Sequence, residues 1–255
     1  MEKLDFDVEF KVEGKEKIPD EIKWFIIAVP ENGFSGVLAL RQLVEDLDME
    51  LVGYAASDVT KTLFRIEDGK PRPSVPIYVK DSILVLLFEI PTTNSMVLPM
   101  GHLVDQLTRD RKIANLVMLS SAPSNTRKDK DYEDIRTLGT FIGEEYGQIA
   151  KDLNLDIVDN ATLSGPFAWV MNNRMMDKEG ALVILSETYP YPMVDPGSGA
   201  KLLEVLGQML NKKDQLNISK LLEEAHEAKS KLKKLQQAAQ KAQKQQTPSI
   251  ADFYT

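Results

Sequence analysis

Two carboxylates that follow a predicted strand are the first candidates for chemistry in this chain. The segment "SETYPYPMVDP" ends a strand at Glu187 and carries Asp195 eight residues later. Ligands of α/β proteins commonly bind where strands end, so a carboxylate there could act as an acid, a base or a ligand-binding group. The prolines and tyrosines between the two acids also fit a rigid packed loop. Both interpretations stay open at the level of sequence.

The other chemical motifs are weaker. His102 and Asp105 share a helix face, which fits an acid–base pair or a hydrogen bond near the helix start. "GFSG" at 33–36 is similar to a nucleophile elbow, but a valine follows where that motif needs glycine. "GSGAKL" at 197–202 opens a helix that could hold an anion on its backbone N–H groups, yet the third glycine of a dinucleotide motif is missing. With two histidines and no cysteine, we predict neither a metal nor a cofactor.

The last three residues, Phe253-Tyr254-Thr255, indicate binding chemistry. Two aromatic side chains next to a free α-carboxylate can enter an apolar pocket while the carboxylate pairs with a cation. Aromatic residues that pack onto their own protein are the alternative.

Charge is distributed unevenly and limits the partners. The net charge is −8, but residues 212–247 hold nine lysines against four acids, which leaves −13 for the rest of the chain. Nucleic-acid binding needs clustered cations, so no nucleic-acid partner is predicted. No apolar run approaches the roughly 20 residues of a membrane span, so no membrane partner is predicted either. The absence of cysteine fits a reducing compartment, and we expect a cytoplasmic protein.

The elements that position these residues alternate between strand and helix, which predicts an α/β fold. A strand at 23–29, a glycine turn, a helix and a strand at 50–56 form a predicted βαβ unit with parallel strands. Ser164 and Asp195 are predicted to begin helices, each with a proline in the first turn. The further strands are predicted at 4–12, 83–90, 115–121 and 181–187. We therefore expect a three-layer sandwich, with helices on both faces of a mostly parallel or mixed sheet.

Three segments receive less regular predictions. Residues 72–79 are interrupted by prolines, which indicates an edge strand or a loop with one short strand. Residues 121–134 are polar and rich in breakers, so we expect an exposed loop. Residues 135–153 have helical spacing.

The C-terminal region is predicted to be a long helix ended by Pro248. Its apolar residues are spaced alternately by three and four, which is typical of a narrow heptad seam. The seam consists of Ile218, Leu221, Ala225, Ala228, Leu232, Leu235, Ala239 and Ala242. Because half of these residues are alanine, the seam is too weak to dimerise strongly alone, and we expect it to lie along the body or against a sister subunit.

Two long segments resemble the archaeal proteasome assembly chaperone family. They are "VPENGFSGVLALRQLVEDLDMELVGYAAS" and "TLSGPFAWVMNNRMMDKEGALVILSETYPYPMVDPGSGAKLLEVLGQML". The residues that occupy the family's pattern are Gly33, Gly36, Gly165, Leu185, Glu187, Thr188, Asp195 and Pro196. The stretch 196–199, where alanines are commoner in the family, is a departure that affects helix packing.

The resemblance implies a fold related to phosphorylases and hydrolases, homo-oligomers and no catalysis. It divides the chain into an α/β domain at 1–212, a helix at 213–247 and a docking tail at 248–255. Phe253, Tyr254 and Thr255 match a hydrophobic–Tyr–any-residue ending, which implies docking into pockets of the α-ring of the proteasome core particle. The alternative is a small-molecule enzyme, either phosphorylase- or hydrolase-like or an ATP-grasp ligase, that uses the cleft near Glu187 and Asp195.

Overall fold

The computed structural model describes residues 9–90, 93–190 and 193–231, and the structural statements below concern those residues. The strands are β1 (Lys11–Glu13), β2 (Glu21–Ala28), β3 (Glu50–Ala56), β4 (Arg65–Glu67), β5 (Lys70–Arg72), β6 (Pro76–Lys80), β7 (Ile83–Leu87), β8 (Lys112–Pro123), β9 (Thr137–Ile142), β10 (Asp156–Ile157) and β11 (Ala181–Thr188). The helices are α1 (Ser35–Asp46), α2 (Val97–Asp110), α3 (Glu144–Asp152), α4 (Gly165–Asp177), α5 (Pro196–Leu210) and α6, which is described over 218–231. None of the helices within those ranges is long and apolar enough to cross a membrane.

Nine of the strands form one mixed sheet in the order β1-β3-β6-β7-β2-β8-β11-β9-β10. The four central strands β7, β2, β8 and β11 are mutually parallel, and antiparallel pairs flank them on both sides. The central strands carry the continuous apolar runs because they are covered on both faces, and all five residues of β7 are buried. The separate β4–β5 hairpin (residues 65–72) lies outside this sheet.

Alternate residues of the central strands feed two apolar cores, which makes the fold a three-layer sandwich. Ile26 and Ala28 of β2 point into the core that α1, α3 and α5 cover. Phe25 and Ile27 point into the opposite core, which α2 and α4 cover. The predicted fold class is therefore confirmed.

The order of strands corrects the predicted βαβ unit. β2 and β3 run in the same direction, but β6 and β7 lie between them, and β3 forms antiparallel pairs with β1 and β6. β6 itself lies inside the sheet between β3 and β7, so of the two predictions for 72–79 the edge strand is wrong and the loop with one short strand is correct. Pro76 is tolerated there because it is the first residue of the strand.

Residues 135–153 are not one helix as their spacing predicted. Residues 137–142 form β9, which pairs antiparallel with β11, and helix α3 begins only at Glu144. Gly143, with φ 94°, separates the strand from the helix in a conformation that favours glycine. Pairing with β11 therefore decides the conformation of a segment whose apolar spacing also suits a helix.

Helix α6 is fixed to the body at its beginning. The Asn217 N–H donates a hydrogen bond to Asp46 Oδ2 at 2.7 Å, and Leu221 is buried against the α1 and α5 core. Lys220 pairs with Glu45 at 2.6 Å, and Lys229 pairs with Asp131 at 2.6 Å. The described part of the predicted seam thus lies along the body, while the seam from residue 232 onward lies outside the described residues.

Candidate functional site

The parallel strands β2, β7, β8 and β11 end at the same side of the sheet, which we call the carboxyl edge. The loops after β2 and β11 meet there, because the N–H of Asp195 donates a hydrogen bond to the carbonyl of Gly33 at 2.8 Å. The sequence predicted that Glu187 and Asp195 would lie near such an edge, and both do. Their side chains are almost inaccessible, with relative exposures of 2% and 1% for the two residues.

Glu187 is held by two cations from the loop between β8 and β9. Arg136 donates to Glu187 Oε1 from Nε at 3.2 Å and from Nη2 at 3.0 Å, and Lys130 donates to Oε2. Burial alone would raise the pKa of this carboxyl, but the hydrogen bonds from Lys130 and Arg136 outweigh burial and leave the pKa below its usual value. Glu187 therefore ties the loop to β11 as an ionised group.

Asp195 forms a second, deeper ion pair with Arg127. The guanidinium Nη2 lies 2.8 Å from Asp195 Oδ1, and only 4% of Arg127 is exposed. The Arg127 side chain also lies over the ring of Tyr189, 4.9 Å from its centroid. Burial raises the pKa of Asp195, and Arg127, the Ser198 N–H and Thr188 offset that effect only in part. The prediction that residues 121–134 form an exposed loop is wrong at Arg127, because this loop supplies a buried partner for Asp195.

The beginning of helix α5 needs no external anion. Asp195 accepts a hydrogen bond from the Ser198 N–H at 3.1 Å, which confirms it as the N-cap residue. The chain's own carboxylate therefore occupies the position that "GSGAKL" could have offered to a bound anion.

Glu31 is a third carboxylate at the carboxyl edge, and no feature of its sequence context distinguishes it from other loop acids. Its Oε2 accepts hydrogen bonds from Ser120 Oγ at 2.6 Å and from the Ser121 N–H at 3.0 Å. Burial raises the pKa of Glu31, and the hydrogen bonds from Ser120 and Ser121 offset the rise only in part. Glu31 joins the loop after β2 to the end of β8.

The remaining candidates are dispersed. His102 is exposed and meets Trp169 edge to face with ring centroids 4.6 Å apart, while Asp105 pairs with Arg109. The possible His102–Asp105 pair is therefore not formed. Among the described residues no three histidine or acidic side chains cluster as a possible metal site. Phe253, Tyr254 and Thr255 lie outside the described residues.

The arrangement at the carboxyl edge joins loops together. Both acids that the sequence singled out are buried against cations, so acid–base chemistry at either would require its ion pair to separate. Arg127 and Lys130 could not be predicted because a polar segment rich in breakers gives no sign of which cation turns inward. Arg136 was missed because its segment was predicted to be helical.

Comparison with known proteins identifies a family, a similar sequence and several similar folds. The sequence model of the PAC2 family matches residues 25–236. An uncharacterised protein of Methanocaldococcus jannaschii is 26% identical over 219 residues, which make up 86% of this chain and 87% of that protein.

Two solved structures from Pyrococcus furiosus share the fold. PbaA, described as an archaeal homologue of proteasome-assembly chaperone, has a TM-score of 0.76 and 21% identity, with 97% of this chain and 100% of PbaA covered. PbaB, described as an archaeal proteasome activator, has a TM-score of 0.74 and 14% identity, with 89% of this chain and 99% of PbaB covered. At these identities the likeness shows the fold alone.

Proposed function

The chain belongs to the PAC2 family, and from that premise we propose that it is a cytoplasmic proteasome assembly chaperone or activator that acts by docking. Its docking element is the C-terminal tripeptide Phe253-Tyr254-Thr255, and its receptor is a pocket in the α-ring of the proteasome core particle. The observation that carries the proposal is this hydrophobic–Tyr–any-residue ending on a chain of the PAC2 family. The structural likeness to PbaA, a homologue of proteasome-assembly chaperone, and to PbaB, a proteasome activator, supports the same partner.

Each residue of the tripeptide has a distinct role in this proposal. The free carboxylate of Thr255 pairs with a pocket cation. The Tyr254 hydroxyl contributes a hydrogen bond worth about 1 kcal/mol net. The Phe253 ring contributes about 1.5–3 kcal/mol when fully buried. Ordering the preceding tail costs several kcal/mol, so a single tail binds weakly.

Several tails on one homo-oligomer overcome this weakness. Once one tail has docked, the others search a small volume around neighbouring pockets, and their effective concentration raises the total affinity. The described part of α6 supports this geometry because it is fixed to the body by Lys220 and Lys229. If the predicted helix continues to residue 247, its last 16 residues add about 24 Å, and the eight residues of the tail add up to about 26 Å when extended.

Capture of proteasome α-rings by the full chain tests the docking proposal. Two changes should each abolish capture. Deletion of residues 253–255 removes the aromatic side chains of Phe253 and Tyr254, and a peptide tag added after Thr255 removes the free carboxylate. The matched control is Thr255→Ser, which keeps the carboxylate at a position that accepts any residue and should bind like the wild type. Capture that survives both the deletion and the tag contradicts the proposal.

The enzyme alternative has a separate test. It requires Glu187 or Asp195 to leave the cation that it contacts, so a ligand that draws either carboxylate away should change the thermal stability of the protein. Stabilisation by a nucleoside or nucleotide in a thermal-shift screen would support this alternative. An unchanged thermal stability with every compound would count against the enzyme alternative.

A further inference from the structure

The β4–β5 hairpin presents its apolar side to solvent and its charged side to the protein. Phe64 and Ile66 are 64% and 69% exposed, and Ile66 pairs across the hairpin with Pro71. Arg65 and Arg72 instead line a charged cleft of about 480 Å³. The usual surface hairpin has the opposite polarity, and exposed apolar patches of this kind mark interaction sites.

The charged side holds the hairpin in place without help from a partner. Arg65 contacts Glu89, whose side chain is 2% exposed, and Arg41 contacts the same carboxylate. Ser74 Oγ donates to the Leu63 carbonyl at 2.6 Å. An isolated two-stranded hairpin is marginally stable, so these contacts explain how the apolar side can remain exposed in a single chain.

A small groove lies beside the exposed side chains. Tyr54, Leu63, Phe64 and Pro71 are among the residues that line it, and its volume is about 270 Å³. The groove is smaller than the roughly 300–1,000 Å³ of pockets for drug-sized ligands, and it suits one or two protein side chains. The occupant is therefore a protein surface with an apolar protrusion.

From this arrangement we propose that the β4–β5 hairpin is an isologous interface between two copies of this chain. One short stretch supplies both the groove and, at Ile66, the protrusion, and a two-fold axis places each copy's protrusion against the other copy's groove. Charge favours the same occupant. Residues 57–74 hold four cations against three acids, whereas the chain as a whole carries −8, so two copies can meet here without the repulsion that two acidic surfaces would have. The inference rests on the proposed function in one respect: the interface supplies the oligomer with more than one tail that docking requires.

The test is the mass of the full chain in solution, measured by light scattering and sedimentation equilibrium over a wide range of concentrations. The wild type should exceed the 28.6 kDa of one chain, and Ile66→Asp should weaken self-association at least about tenfold because it places a charge in an apolar contact. Phe64→Ser is a second, milder variant that should act in the same direction. Ile157→Asp is the matched control, because Ile157 is 44% exposed on β10 at the other end of the sheet. It should leave self-association unchanged.

Cross-linking through one introduced cysteine tests the interface independently. Because the chain contains no cysteine of its own, the introduced thiol is the site of reaction. Ile66→Cys should form a covalent dimer on treatment with a flexible bifunctional maleimide, and Ile157→Cys should not. A wild type that is monomeric throughout, or an unchanged mass for both Ile66→Asp and Phe64→Ser, overturns the inference and assigns the patch to another occupant. Tail-dependent capture of α-rings is measured separately, so the hairpin interface and the docking proposal can fail independently.

Discussion

The carboxyl edge and the β4–β5 hairpin distribute charged and apolar side chains in opposite ways. At the carboxyl edge Glu187 and Asp195 are buried with cations beside them. On the hairpin Phe64 and Ile66 are exposed, while Arg65 and Arg72 line the charged cleft on the other side. The two carboxylates that follow β11 are thus inaccessible, whereas the apolar side chains that suggest association are exposed.

This difference indicates what each region contributes. A buried ion pair adds little net stability relative to an apolar pair, but removal of one partner is costly, so such pairs fix one arrangement of loops. An exposed apolar patch contributes nothing to the isolated chain and gains free energy only when another surface covers it. An exposed apolar patch of this kind suits association with another macromolecule.

The largest expected effect on the free energy of unfolding comes from the removal of a cation at the carboxyl edge, compared with the removal of a cation on the hairpin. Arg127→Met leaves Asp195 buried beside an apolar side chain and should lower the free energy of unfolding by about 3–5 kcal/mol. Arg72→Met breaks the pair with Glu67 on the hairpin, in which both side chains are nearly half exposed, and should cost at most about 1 kcal/mol. Urea unfolding of both variants measures the two costs.

A double variant shows whether the cost arises from the buried charge. Arg127→Met with Asp195→Asn removes both charges and should recover part of the lost stability. Equal losses for Arg127→Met and Arg72→Met would mean that the carboxyl edge is no more dependent on its ion pair than the hairpin is.

The second prediction compares two glycines with nearly the same positive φ, one in each region. Gly33 has φ 74° and Gly69, at the hairpin turn, has φ 73°. A Cβ added at Gly33 would lie 1.9 Å from Thr188 Oγ1, whereas a Cβ at Gly69 would meet nothing within 4 Å. Gly69→Ala should therefore cost only the left-handed strain of about 1–2 kcal/mol. Gly33→Ala should cost about 1–3 kcal/mol more because the clash adds to the strain.

Chemical denaturation of the two variants measures the difference between these costs. Similar losses at the two positions would show that the loops after β2 and β11 separate readily, which contradicts the close packing at the carboxyl edge.

The parts of the fold that could be predicted from sequence are those in which local pattern and environment agree. The central strands β2, β7, β8 and β11 read as apolar runs because both of their faces are covered. Helix α5 was predicted from Asp195 and the proline after it, and its N-cap hydrogen bond to the Ser198 N–H is present.

The parts that were missed depend on partners far away in sequence. β9 is a strand because it pairs with β11, about 40 residues later in the chain, and its own spacing also suits a helix. Arg127 is buried because Asp195 lies 68 residues away in sequence and beside it in space. The positions of Glu187 and Asp195 could be predicted, whereas their cations could not. The docking role of Phe253, Tyr254 and Thr255 stays a prediction.

The smallest expected effect concerns two carboxylates of the carboxyl edge whose pKa values are shifted in opposite directions. The pKa of Glu31 is raised by burial, so its contribution to stability is complete below its unfolded pKa and is lost as pH rises through its folded pKa. The pKa of Glu187 is lowered by Lys130 and Arg136 against the effect of burial. Its contribution is complete above its unfolded pKa and is lost as pH falls through its folded pKa.

The free energies of unfolding of Glu31→Gln and Glu187→Gln, each relative to the wild type, should therefore change with pH in opposite directions. Relative to the wild type, Glu31→Gln should become more stable as pH rises from the acidic range to neutrality, because an amide keeps the acceptor for Ser120 without a buried charge. Glu187→Gln should be less stable at neutral pH and approach the wild type as pH falls. Urea unfolding at several pH values measures both differences. Two differences that change with pH in the same direction would contradict the opposite pKa shifts of Glu31 and Glu187.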